Sequence, residues 1–310
     1  MRIGVLGNNG FLGKNLVTAL LKSGHYIVGG SRSTNVDAMN YCNITDWINK
    51  NCLDSVINCA AECGGIGLNK KFPFKLWHRN NIINSNVLAA SVNCEIKKLI
   101  MLGTVCSYSK NTPTPFKEED LMRFGFPEET NAAYGVSKLN ALFGGVAANL
   151  QTGLNVMNLI PVNMYGPHDH FDLENSHVIP AIIRKVDDAI TNNSQEIVLW
   201  GDGSASREFL HVRDCSDAII KALEYDKICT DFINIGVGEE TTIKNLTTMI
   251  VKIMKYDGKI IWDESKPNGQ PRRCLNVDKI NKLLNWRASI SLYDGLVETI
   301  EWYKHNKGKI

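Results

Sequence analysis

The stretch GVLGNNGFLGKNL, residues 4–16, constrains this chain more than any other. Gly7, Gly10 and Gly13 recur at every third position, directly after the apolar run Arg2–Leu6 and at the start of a helical pattern over Phe11–Ser23. Glycine allows the tight turn that such a junction needs and lets a ligand approach the backbone closely. The helix N-terminus presents unpaired N–H groups and the positive end of its dipole, which suits a pyrophosphate. A glycine triplet alone is a weak signal. Between a strand and a helix it marks a dinucleotide-binding turn, here Gly7, Asn8, Asn9, Gly10, Phe11, Leu12 and Gly13.

The alternation continues. β-type runs at Tyr26–Gly29, Ser55–Asn58, Lys98–Leu102 and Asn155–Ile160 are separated by helical patterns at Ile44–Asn51, Asn80–Cys94 and Ala133–Gln151. Strands alternating with helices at this spacing predict a parallel sheet covered on both faces. The expected fold is α/β, a doubly wound Rossmann sheet with a smaller α/β substrate-binding domain. Residues 1–165 form most of the first and residues 166–310 most of the second, with segments near 205–236 returning to the sheet. Residues 161–180, PVNMYGPHDHFDLENSHVIP, read as a long polar loop shaped for binding. Helices are expected at Ile179–Thr191 and Leu292–Asn306, and residues 233–254 read as strand, capped turn and helix.

Composition excludes several classes. Hydrophobic residues make up 44% and charged residues 21% of the chain, and the net charge of +2 is spread along it, so neither a nucleic acid nor a membrane surface is indicated as a partner. The nine cysteines are odd in number and form no CxxC pair, which reads as reduced thiols rather than a disulfide framework or a metal site. The opening residues show no charged leader with an apolar core, and no apolar run is long enough to span a bilayer. The expected compartment is the cytoplasm.

The second strand ends in VGGSRST, residues 28–34. It lacks the acid that would hold a ribose 2′-hydroxyl and offers Ser31 and Arg32, where a 2′-phosphate needs a cation. NADP(H) is therefore expected rather than NAD. In NAAYGVSKLNA, Tyr134 and Lys138 stand four apart, on one face of a helix. A nearby ammonium would stabilise the phenolate and lower the tyrosine below its usual pKa of about 10. Such a tyrosine exchanges a proton with a carbonyl oxygen while a nicotinamide moves a hydride. In LGTVCSYS, Thr104 supplies a hydroxyl at a strand end, and a regular strand would point Cys106 the same way.

In order, GxxGxxG at Gly7–Gly13, Thr104 and YxxxK at Tyr134–Lys138 resemble the extended short-chain dehydrogenase/reductase family that acts on nucleotide sugars. CGGIGLN, LGTVCSYSK, PVNMYGPHDHF, NSHVIPAIIRK, LWGDGSASREFLHV and SKPNGQPRR carry the likeness along essentially the whole chain, and together they are similar to the GDP-L-fucose synthase family. That resemblance implies NADPH-dependent 3,5-epimerisation and 4-reduction of GDP-4-keto-6-deoxy-D-mannose, by a homodimer joined through Asn80–Cys94 and Ala133–Gln151. It implies Thr104, Tyr134 and Lys138 as the reductase triad, and Cys106 with His177 as the epimerase acid/base pair. Ala60, Ala61, Leu102, Lys138, Pro161, Asn163, Met164 and His177 would line the cofactor. Asn163, Val178, Lys185, Trp200, Arg207 and Asn268 would hold the GDP-sugar.

The chemistry is consistent with these roles. A 4-keto group acidifies the protons at C3 and C5, and inversion needs removal from one face and return to the other through an enolate. A thiol and an imidazole, with ordinary pKa values of about 8.5 and 6.5, suit that work. Tyr134 and Thr104 form one oxyanion site that serves both steps, and Arg207 suits a diphosphate.

The chain departs from the family pattern at Asn9, where a basic residue is frequent, at Glu62-Cys63, where a basic-apolar pair is usual, and at Val105, Lys185 and Asn268. The cysteines other than Cys106, Cys63 included, read as packing or surface residues. Three other readings stand beside the leading one. They are a C4-reductase without epimerase activity on a related GDP-4-keto hexose or heptose, a 4-epimerase with tightly held NAD, and a non-catalytic NADP(H) sensor.

Overall fold

The structure is a computed structural model that describes residues 1–172, 176–266 and 268–309. Asn175 of the NSHVIP segment and Pro267 of SKPNG lie outside the described residues. The first half runs β1 (Arg2–Leu6), α1 (Phe11–Lys22), β2 (Tyr26–Gly30), α2 (Tyr41–Lys50), β3 (Ser55–Asn58), α3 (Ile66–Lys71), α4 (Pro73–Asn93), β4 (Lys98–Leu102), α5 (Ala132–Thr152) and β5 (Asn155–Pro161). The second half begins with β6 (Asn163–Tyr165), α6 (Val178–Thr191), β7 (Glu196–Trp200), β8 (Ser206–Arg207), β9 (Phe209–His211) and α7 (Val212–Glu224). It continues with β10 (Phe232–Ile235), β11 (Thr241–Thr242), α8 (Ile243–Met254), β12 (Lys259–Asp263), α9 (Asp278–Leu284) and α10 (Leu292–Asn306).

The central sheet has six strands in the order β10-β5-β4-β3-β1-β2, and every pairing is parallel. A parallel sheet needs cover on both faces, which is why its strands are apolar throughout. β4 shows this directly, because all of its residues are buried. Ile100 and Leu102 join a core with Leu16 and Leu20 of α1 and Ile219 of α7. Leu99 and Met101 point the other way, to Trp47 of α2 and Val87 of α4. A separate core gathers Ile182 and Val186 of α6, Leu246 and Ile250 of α8, and Leu296 and Ile300 of α10, beside β7 and its parallel partner β12.

Helix starts differ from the sequence reading where a cap decides them. α4 begins at Pro73 rather than Asn80, with proline in its first turn, where the missing N–H costs nothing. α2 begins at Tyr41 because the Asn40 side chain accepts the Asn43 N–H at 3.2 Å. The stretch expected as a loop after β5 contains β6, which pairs with β9 and is too short to show an alternating pattern. The strand order reverses between β2 and β3, on either side of β1, and the carboxyl ends there form the crevice where such sheets bind ligands.

Candidate active site

The glycine turn occupies that crevice. Gly7 has φ +81°, and a Cβ there would lie 2.7 Å from the Ala60 nitrogen, so Ala60 packs against bare backbone. A Cβ on Gly13 would lie 2.2 Å from the Gly7 oxygen, so only glycine lets α1 sit so close to the turn. The first turn of α1 carries no acidic residue, which leaves its N–H groups free for an anion. Past β2, the Asn9 amide donates to Ser31 Oγ at 3.1 Å and Ser33 Oγ at 2.5 Å. Arg32 beside them is exposed and forms no ion pair among the described residues. These residues fit a nicotinamide dinucleotide.

Lys138, on α5, is buried and donates from Nζ to the Leu102 carbonyl at 3.0 Å. Burial pulls its ammonium down to about 8, against the opposing pull of Cys63 and Cys59. Tyr134 lies one turn earlier. Burial first, then Cys63 and Cys106, holds its phenol well above the usual range. The expected lowering by Lys138 is thus absent, because the ammonium is turned to Leu102 and desolvation dominates. The expectation of a regular strand through Thr104 and Cys106 also fails. β4 ends at Leu102, and Val105–Ser107 is a 3₁₀ turn capped by Thr104, whose Oγ1 accepts the Cys106 N–H at 3.2 Å. Thr104 and Cys106 are joined through that cap instead of by a shared strand face.

Cys63 is exposed, in keeping with its reading as a packing or surface residue. It acts on both Tyr134 and Lys138, and desolvation by the surrounding protein pushes its own thiol up. Its backbone is held from both sides. The neighbouring Glu62 N–H and carbonyl both bond the Asn80 side chain, at 3.0 and 2.8 Å, and the Asn69 amide donates to the Gly64 and Gly65 carbonyls. The sequence signal for this position was only its nearness to β3. Cys63, Tyr134 and His177 keep solvent contact although protein crowds them on most sides, as groups lining a cleft do.

His177 precedes α6 and makes no capping bond with its side chain. Burial and the charge of His170 lower its pKa, so the ring is neutral near pH 7 and able to accept a proton. Asp169, in the loop before it, is buried and pushed up to about 7 by desolvation, and its Oδ2 has no hydrogen-bond partner among the described residues. Pro161 ends β5, Met164 packs on the main core, and Asn163 Nδ2 donates to the Glu208 carbonyl at 3.1 Å. Val178 opens α6.

The positions implied for the sugar nucleotide divide. Arg207 donates to the Ser206 carbonyl at 2.7 Å and the Gln270 carbonyl at 2.5 Å. Burial and the neighbouring Arg273 pull its guanidinium down to about 10. Two guanidinium groups near enough to repel each other suit an anion. Lys185, by contrast, donates to the Val198 carbonyl at 2.7 Å. Asn268 Oδ1 accepts the Asp202 N–H at 2.9 Å and lies against Gly201, so it closes the WGDG turn. Trp200, 55% exposed, stands at the end of β7 with its face open.

The profile of the NAD dependent epimerase/dehydratase family matches residues 3–236. The chain belongs to that family. A probable GDP-L-fucose synthase of Oryza sativa subsp. japonica is 35% identical over 306 residues, which covers 98% of this chain and 92% of the relative. The GDP-L-fucose synthase of Escherichia coli K12 is 33% identical over 316 residues, covering 99% and 98%. A solved GDP-mannoheptose C4 reductase from Campylobacter jejuni, with NADP bound, superposes with a TM-score of 0.84 at 27% identity and covers 98% of each chain. The chain is an enzyme, an oxidoreductase with a nicotinamide cofactor. Among the described residues no helix is long and apolar enough to cross a membrane.

Proposed function

We propose that the protein converts GDP-4-keto-6-deoxy-D-mannose to GDP-L-fucose in the cytoplasm, by 3,5-epimerisation followed by NADPH-dependent 4-reduction. The observation that carries this reading is the close packing of Cys106 against α5 at Gly135, next to Tyr134, with Thr104 capping the turn that holds it. Cys106 and His177 take and return protons at C3 and C5. Tyr134 and Thr104 hold the carbonyl oxygen as its charge develops, and Tyr134 protonates it during reduction. NADPH, when bound, supplies the hydride. The α1 N-terminus takes its pyrophosphate, and Asn9, Ser31 and Arg32 take the 2′-phosphate. Residues 1–165 carry most of the cofactor and residues 166–310 most of the sugar nucleotide. The GDP diphosphate lies on Arg207. A homodimer forms through α4 and α5.

Turnover in deuterated water tests this. Deuterium at C3 and C5 of the product is the expected result, and unlabelled product would sink the epimerase step. A Cys106→Ser enzyme should lose that exchange while hydride transfer to an already epimerised ketone persists. The second reading, C4 reduction alone on a related GDP-4-keto hexose or heptose, is favoured by the neighbours of His177. Its charge neighbour is His170, and no bond among the described residues joins it to Cys106. Unlabelled but reduced product would select that reading.

A further inference from the structure

Arg273 is a buried cation, 6% exposed, that no carboxylate answers among the described residues. Its neighbour Arg272 has Glu240 as an ion-pair partner, but Arg273 has none. Nε donates to Gln270 Oε1 at 3.0 Å, and Nη1 donates to Cys106 Sγ at 3.4 Å. The Arg273 carbonyl accepts the Glu208 N–H at 3.1 Å, which fixes the backbone from which the side chain reaches in. Arg207 beside it carries the same charge, with Glu128 and Glu240 acting on Arg207. A buried guanidinium with only neutral partners is costly unless an anion forms next to it. The atom it touches that can become one is the Cys106 sulfur.

We propose that Arg273 is the positioning residue of Cys106, fixing the direction of its sulfur and answering the negative charge that forms there each time the thiol gives up its proton. The inference rests on the reading of Cys106 as an epimerase acid/base. The groups facing Cys106 are Arg273 from the segment before α9, Arg207 of β8, Tyr134 of α5 and Cys63 after β3. Tyr134 and Cys63 stay neutral near pH 7, because burial holds both of their protons on.

The test has two arms, in the full-length enzyme. In the first, alkylation of Cys106 by iodoacetamide is followed by peptide mass spectrometry across pH, in the wild type, Arg273→Lys and Arg273→Met, with Cys63 as the internal control. Arg273→Met, which removes the Nη1 bond to Sγ, should slow Cys106 alkylation near neutral pH about tenfold, with Arg273→Lys partly restoring it. In the second, deuterium exchange at C3 and C5 should slow more in Arg273→Met than hydride transfer to an epimerised ketone does. An unchanged Cys106 profile in Arg273→Met would overturn the proposal. A raised KM for the GDP-sugar with that profile unchanged would overturn it too, in favour of a substrate anchor. The first arm needs no sugar. If it succeeds while the wild type shows no exchange, the epimerase reading fails and the pairing of Arg273 with Cys106 stands.

Discussion

Desolvation sets the chemistry of individual residues in this cleft. Lys138 illustrates the sign. Burial disfavours the ammonium and brings it down to about 8, so the side chain is charged below that pH and neutral above it. If the charge supports the proton transfer at Tyr134, kcat for ketone reduction should fall as pH rises through about 8. Lys138→Met should lose that alkaline limb and run about a hundredfold slower below it. A limb that survives in the variant would assign the titration to another group. Tyr134 and Lys138 were legible in the sequence because a helix fixes which residues share a face. The environment of their charges was not, since it depends on Leu102 and Cys63, which reach them only through the fold. Cys63 itself was legible only as a thiol near a strand end.

At the scale of elements, backbone demands were the readable part. The Gly7–Gly13 turn was recognisable because a Cβ cannot fit where α1 meets it. Gly13→Ala would put a Cβ 2.2 Å from the Gly7 oxygen, too close for any rotamer to relieve. The turn or the start of α1 must shift, at a cost of about 1–3 kcal/mol, and the N–H groups aimed at the pyrophosphate shift with it. A lower Tm and an NADPH Kd raised at least tenfold should appear together. A lower Tm with unchanged affinity would show that the turn is structural only. The 3₁₀ turn at Val105–Ser107 was harder to read, because Thr104 there forms a local cap that competes with the strand. The short β6 and β8 were hidden for a different reason. Two or three residues carry no period, and their pairing partners lie far along the chain.

Across the whole molecule, distant segments meet on one carboxylate. Glu208 is fully buried and accepts backbone N–H groups of Val237 at 2.5 Å, Gly238 at 2.7 Å and Leu275 at 2.6 Å. It thereby joins the β8–β9 segment to the end of β10 and to the strand-like stretch after Arg273, next to the residue that touches Cys106. Glu208→Ala would leave the buried Leu275 N–H unpaired, at about 1–3 kcal/mol, while the N–H groups of half-buried Val237 and exposed Gly238 can turn to water. Denaturant unfolding should show a loss of about 1–3 kcal/mol, and a loss under about 1 kcal/mol would mean that water replaces the carboxylate at Leu275 too.

The outer face of α4 and α5 carries the last whole-molecule prediction. These helices pack closely, with Gly144 against Leu88 and the Asn140 amide donating to Asn81 at 3.1 Å. Phe143 and Leu150, seven positions apart on one face of α5, are 50% and 75% exposed, and Trp77 of α4 is 40% exposed. Large apolar groups in register on a helix face suit a two-fold partner that brings the same face, and two such pairs would make a four-helix bundle. Phe143→Asp would place a charge in that seam while leaving the buried side of α5 intact. Sedimentation velocity should show the wild type as a dimer and the variant as a folded monomer. A wild type that sediments as a monomer would remove the dimer, and a variant that stays dimeric would move the seam to another face.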